Sequence, residues 1–200
     1  MPPADTTAPA RPMRADARRN REHLLAAARA AFAEHGIDVQ IDDIAQRAGL
    51  GVGTLYRHFA TKEELFCALA VEHFSALADR AEAARDAPGS PWERLSGLLY
   101  DAARQVEGDA AMSQIMAERP ELMECAAPEK ARLLQAIGAI ITAGVAAGEL
   151  RPDASVDDIP AIMCGVGQVM TTAPWRPGAG WERFLQIALD GLRFGARANR

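Results

Sequence analysis

The sequence predicts an all-α chain of about nine helices, with a three-helix head at the N-terminal end and a larger helical body behind it. Two observations carry this. Apolar residues recur at i, i+3 and i+4 along most of the 200 residues, and no stretch alternates with period two for long enough to suggest a sheet. Glycines and prolines interrupt those stripes where short and medium helices would end.

Met1 to about Asp16 contains Pro2, Pro3, Pro9 and Pro12 and almost no large apolar residues, so residues 1–16 read as a disordered arm. Ala17 to His35 is Ala-rich, with Leu24, Leu25, Ala28 and Phe32 on one stripe, and Gly36 stops it. Ile41 to Phe59 reads IDDIAQRAGLGVGTLYRHF. Ile44, Ala45 and Ala48 give a short helix one apolar face, Gly49 ends it, Leu50 is an apolar plug, and Gly51 to Gly53 permit a sharp redirection. A second short helix follows, with Leu55 and Phe59 inward at i, i+4 and Thr54, Tyr56, Arg57 and His58 on its other sides. Two short helices, a Gly-bearing turn and a polar-aromatic outer face make a helix-turn-helix. Its second helix fits a B-DNA major groove, and its exposed donors suit phosphates and base edges. Residues 17–62 form this unit, and 63–200 the rest.

Thr61 opens TKEE, an N-cap with Glu64 three residues later, and starts a helix to about Ala84 that links head to body. DAPGSP breaks the chain, after which Trp92 to about Val106 is helical with Leu95, Leu98 and Leu99 inward. Ala110 to Glu118 is a further short helix, ended or kinked at Arg119-Pro120, and Glu121 to Ala127 is ambiguous. Pro128 fits the first turn of a helix to about Ala147, closed by Gly148 and the turn ELRPDA. Ser155 caps a helix to about Thr172; a Pro/Gly loop leads to a last helix from Trp181 to about Ala196.

The run IAQRAGLGVGTLYRHFATKEEL closely resembles the DNA-binding signature of TetR-family transcriptional regulators over about Arg18 to Leu69. The remaining two-thirds is similar to that family in length and helical pattern, and its closing LDGLR is most similar to the SbtR-like C-terminal group. The resemblance implies a ligand-responsive regulator, most often a repressor, that reads a pseudo-palindromic operator on double-stranded DNA as a homodimer and is released by a small-molecule effector. Carried onto this chain, it implies DNA contacts from Arg18, Gly53, Thr54, Tyr56, Arg57, His58 and Lys62, the last poised for a phosphate. Gln40 stands where the family usually has the capping Thr or Ser, and Gly51 where it often has Ser, so neither is expected to supply a hydroxyl to phosphate.

The same resemblance makes the body a ligand-binding and dimerisation domain. Candidate pocket residues are Phe74, Tyr100, Arg104, Met112, Gln114, Met116, Met123 and Ile141, the methionines because they adapt to varied apolar ligands. The last two long helices are unusually apolar, and Ile162, Val166, Val169, Phe184, Leu185, Ala188 and Leu192 are the candidate dimer face.

Net charge is −5, yet residues 1–62 carry nine Lys/Arg against seven Asp/Glu, a net of +2. The acidic excess of 63–200 is screened within about 8–10 Å, so local basicity beside the reading helix governs. No apolar run is long enough to span a membrane, and no signal peptide is expected. Cys67, Cys125 and Cys164 are far apart and lack CxxC spacing, so neither a disulfide framework nor a zinc site is expected, and a cytoplasmic setting fits. The histidines show no metal spacing, and no GxSxG, P-loop or dinucleotide fingerprint occurs, so neither catalytic residue, metal nor cofactor is expected. A helical adaptor that binds only protein is the alternative; it has no need of Tyr56, Arg57 and Lys62 together.

Overall fold

A computed structural model describes residues 10–108, 112, 115, 116, 118–172 and 180–193. Among these the chain forms eight α-helices and one 3-10 segment: α1 (Ala10–His35), α2 (Ile41–Arg47), α3 (Val52–His58), α4 (Lys62–Asp86), α5 (Pro91–Gly108), η1 (Pro120–Ala126), α6 (Ala127–Ala146), α7 (Asp158–Thr172) and α8 (Trp181–Leu192). The all-α expectation holds, and one isolated antiparallel bridge, Leu150 to Arg193, stitches the α6–α7 turn to the end of α8. Most of the expected Ala110–Glu118 helix and of the loop before Trp181 lie outside the described residues.

Local chemistry explains most boundaries. Helix α1 begins at Ala10, inside the stretch expected to be a disordered arm; Pro12 falls in its first turn, where a missing N–H costs nothing. Thr61 caps α4 by accepting from the Glu64 N–H at 3.2 Å, and the Glu64 carboxylate accepts in return from the Ala60 N–H at 2.7 Å. Ser90 and Glu93 repeat the device before α5, each accepting from the other's backbone N–H. Pro120 sets off the ambiguous stretch as η1, which runs directly into α6 with Pro128 in its first turn. At the entry to α7 the Asp158 carboxylate accepts from the Ser155 N–H at 2.9 Å, while the Ser155 hydroxyl accepts from the Asp157 N–H and its carbonyl from the Asp158 N–H, each at 3.2 Å, so that helix begins three residues after Ser155.

Two apolar clusters result. The first joins Leu24, Phe32, Ile44, Leu55 and Phe59 of the head to Leu65, Phe66 and Leu69 of α4, and to Ile115, Leu122 and Met123. The second fills the body with Leu95, Leu99, Ile137, Ile140, Val166, Leu185 and Leu189. Residue 62 therefore marks a change of helix, not of core, because the next turns of α4 are buried with the head. Helix α4, about 37 Å long at the standard rise, packs along both η1 and α6. Leu133 of α6 lies against both clusters and is their junction.

The cysteine expectation is corrected. Cys67 of α4 and Cys125 of η1 form a disulfide, with Cα atoms 5.5 Å apart and a sequence separation of 58. Linear spacing carries no trace of this, because the pair meets only once η1 folds onto α4. Cys164 is free and exposed.

Candidate nucleic-acid interface

The site is built by closing the head's interior and leaving one helix face outside. Ala48 ends α2, Gly49 takes φ +69°, and the N–H groups of Gly49 and Leu50 donate to Gln46 and Ala45 carbonyls at 3.0 Å. This is the two-bond stop that a left-handed glycine permits, and it turns the chain so that α3 crosses α2. Gln40 makes no capping bond to α2, as its poor capping chemistry implies, while Asp42 and Asp43 sit in the first turn. Leu55 and Phe59 anchor α3 from beneath, and both are buried.

What remains outside is one aromatic and polar face of α3. Tyr56 is 47% exposed, and Val52, one turn earlier, is also exposed. Sequence reasoning missed Val52; its place four residues before Tyr56 was the available signal. Together they offer an apolar edge of the kind that meets thymine methyl groups. Gly53 is exposed and Thr54 and His58 are half-buried. The Arg57 guanidinium donates to the Gly53 carbonyl at 3.2 Å and to Thr54 Oγ1 at 2.9 Å, so it lies back along its own helix. Arg18, one helix away on α1, is exposed and faces Glu22 at 3.9 Å. Arg21 stacks over Phe59, its guanidinium carbon 5.4 Å from the ring centroid, which ties α1 to the end of α3.

Lys62 departs from the rest. Its Nζ donates to the Val39 carbonyl at 2.7 Å and stands 6.0 and 5.8 Å from the ring centroids of Phe32 and Phe66. Burial pushes its pKa below the ordinary lysine value. The structure thus uses Lys62 to fasten the start of α4 to the α1–α2 turn, where a TKEEL match alone points to an outward lysine. A second fastener joins α1 to α2: Arg47 makes a two-pronged ion pair with Glu34, and its hydrogen bonds hold the Glu34 carboxyl below the usual carboxylate range.

The expected pocket residues do not converge on one place. Phe74, Met112 and Met123 are buried in the head-side cluster, whereas Ile141 and Tyr100 belong to the body cluster, with the Tyr100 hydroxyl donating to Gln186 at 2.7 Å. Arg104 is corrected to a surface residue paired with Asp101 at 2.9 Å, and Met116 is 41% exposed. Gln114 lies outside the described residues. The expected dimer face also divides. Val166, Leu185 and Leu192 are corrected to intramolecular core, since the α7–α8 packing buries them completely or nearly so. Ile162, Val169 and Ala188 stay half-buried, Phe184 is 36% exposed, and Ile187, which the stripe analysis omitted, is 57% exposed. The missed signal was a second apolar stripe at 184 and 187 beside the inward one at 185, 189 and 192. Gly165 lets the two helices close up, because a Cβ there would stand 2.5 Å from the Phe184 ring.

Comparison with known proteins agrees with this architecture. Residues 24–69 match the tetR family of bacterial regulatory proteins, and residues 87–194 match the C-terminal domain of SbtR-like transcriptional regulators. The chain is 32% identical over 186 residues to the HTH-type transcriptional repressor KstR2 of Mycobacterium tuberculosis, covering 86% of this chain and 92% of that one. Among solved structures, a TetR regulatory protein from Mycobacterium vanbaalenii shares 33% identity with a TM-score of 0.65, over 91% of this chain and 99% of that one. The solved KstR2 structure, described as a ketosteroid transcriptional regulator, shares 26% identity with a TM-score of 0.61, over 86% of this chain and 94% of that one. The chain belongs to the tetR family of bacterial regulatory proteins and is a DNA-binding transcriptional regulator.

Proposed function

We propose that the protein is a repressor that binds a pseudo-palindromic operator as a homodimer and leaves it when a small apolar effector binds the body. The observation that carries this is the contrast on α3: a fully buried Leu55 holds the helix rigidly while Tyr56, Arg57 and Val52 face outward. Two such heads about 34–36 Å apart enter successive major grooves. Tyr56, Thr54 and Val52 meet base edges or the sugar-phosphate wall, Arg57 swings from Gly53 and Thr54 to an acceptor on DNA, and Arg18 leaves Glu22 for a phosphate.

The second copy docks on the α7–α8 face through Ile162, Val169, Phe184, Ala188 and Ile187, which is apolar and uncovered within one chain. The effector enters near Leu133, which lies against both apolar clusters. An apolar ligand fits that lining, and the ketosteroid description of the mycobacterial relative makes steroid-like compounds the first to test. The effector weakens DNA binding only by its preference for a head placement that DNA does not accept. A cytoplasmic setting, where the DNA is, goes with this reading.

The test is a titration of duplex DNA flanking the protein's own gene, at several salt concentrations, with Tyr56→Ala beside it. Tight, salt-dependent binding of two chains per site that the variant loses supports the proposal. Equal, weak binding of all duplexes by both proteins, repeated on duplexes drawn from a random pool, would overturn it.

A further inference from the structure

The disulfide sits where head and body meet. Cys67 lies in the second turn of α4, flanked by Leu65, Phe66 and Leu69, which are buried with the head. Cys125 lies in η1, flanked by Leu122, Met123 and Ala126 of the same cluster, and η1 continues without a break into α6. Helix α6 in turn supplies Ile137, Ile140 and Ile141 to the body cluster. The bond therefore joins the helix that leaves the DNA-binding head to the 3-10 segment that leads into the central helix of the body. Cys125 is exposed and Cys67 half-buried, so small oxidants and thiols in solvent reach the pair.

We propose that Cys67 and Cys125 are a reversible oxidation site, with hydroperoxides as oxidant and low-molecular-weight thiols as reductant, that controls how firmly the head is clamped to the body. In the oxidising direction the exposed Cys125 thiolate attacks the terminal oxygen of a hydroperoxide. The O–O bond breaks, the alcohol leaves with the proton, and Cys125 becomes a sulfenic acid. The Cys67 sulfur then attacks the Cys125 sulfur, the S–O bond breaks, and water leaves with the Cys67 proton. Two thiols are oxidised by two electrons to one disulfide, and one hydroperoxide is reduced to alcohol and water. Reduction runs through a mixed disulfide with one low-molecular-weight thiol, and a second such thiol releases the pair.

With the bond in place, the first turns of α4 keep one position on η1, and the head follows α6. With the bond open, that register is held by the side-chain packing of α4 on η1 and α6 and by exposed ion pairs such as Glu63 with Arg119 at 3.8 Å. The DNA-affinity consequence rests on the DNA-binding reading above; the oxidation site itself does not.

The experiment uses the full chain with Cys164→Ser, which removes the exposed third thiol. Protein reduced with dithiothreitol is treated with hydrogen peroxide, and thiols are counted by alkylation and mass spectrometry. Both forms are then titrated against a duplex selected from a random pool. Expected are loss of two thiols with an intramolecular Cys67–Cys125 link, full recovery with dithiothreitol, and a change in DNA affinity of about fivefold or more between the forms. Cys125→Ser, an exposed position whose change uncovers no core, abolishes both the link and the difference. Failure of the link to form, or a link that leaves DNA affinity within about twofold, overturns the proposal. A protein that forms the link but selects no duplex overturns the DNA-binding reading, and the clamp's effect on DNA with it, while the oxidation site stands.

Discussion

The head and the α7–α8 pair both expose what their own cores do not use, and the two surfaces differ in kind. On α3 the uncovered residues are an aromatic, a cation and small polar groups over a closed apolar base. On α7 and α8 the apolar residues left uncovered are Phe184, Ile187 and half-buried Ile162 and Val169, beside exposed Glu182, Arg183 and Asp190. A polyanion rewards the first surface, because donors and cations replace condensed counterions there. Water penalises the second, so a matching apolar surface rewards it. One chain thus presents two surfaces of different kind.

The comparison can be broken most severely from beneath the reading face. Leu55→Ala empties a fully buried site and is expected to cost about 2–5 kcal/mol, lowering the denaturant midpoint and abolishing DNA binding with the head's fold. Next in size is Ile187→Glu, which leaves the monomer core intact but puts a charge into the apolar face. Self-association should weaken by about 2 kcal/mol or more, seen as slower-sedimenting monomer, and a variant that remains as dimeric as the parent would remove this face from the interface.

Tyr56→Ala sharpens the contrast from the other end. It should lower DNA affinity by about 1–3 kcal/mol while melting stays within about 0.5 kcal/mol of the parent, because the side chain is half-exposed and supports nothing beneath it. Lys62→Met separates fastening from phosphate contact. An inward Lys62 predicts an unchanged salt slope for DNA binding, whereas a phosphate contact lowers it by about 1. Burial depresses the folded pKa of Lys62, so its contribution to stability is fully present above the unfolded lysine value of about 10.4 and is lost as pH falls through the folded one. Relative to Lys62→Met, the wild type should therefore gain stability as pH rises through that window.

The smallest effect belongs to Glu34→Gln. Arg47 depresses the Glu34 pKa, so its contribution is present above the ordinary value of about 4.3 and vanishes as pH falls through the folded pKa. Thermal midpoints of the two proteins should differ slightly at neutral pH and converge in acid; a gap that persists in acid would assign the pair no role.

Much of this was legible in order along the chain because the determinants are local. Gly49 can only stop a helix of this shape, Thr61 and Glu64 are four atoms of capping chemistry within one turn, and Leu55 and Phe59 state which side of α3 faces in. The pocket and dimer residues were less legible because apolar periodicity says that a face is covered, not by what. Leu185 and Phe184 are neighbours of similar character, and only the packing of the body decides that one is fully buried while the other lays its ring over Gly165 and stays 36% exposed.

By itself the sequence determined the helices, their stops, the helix-turn-helix and the family, all of which follow from residue spacings of four or fewer and from one extended motif. The tertiary structure alone decided that Lys62 turns inward to Val39, that α4 opens inside the head's core, that Leu133 bridges two clusters, and that Cys67 meets Cys125. Each of those depends on which distant helix arrives at a given face. That is set by the packing of whole side-chain surfaces against one another, which no short window of the chain contains.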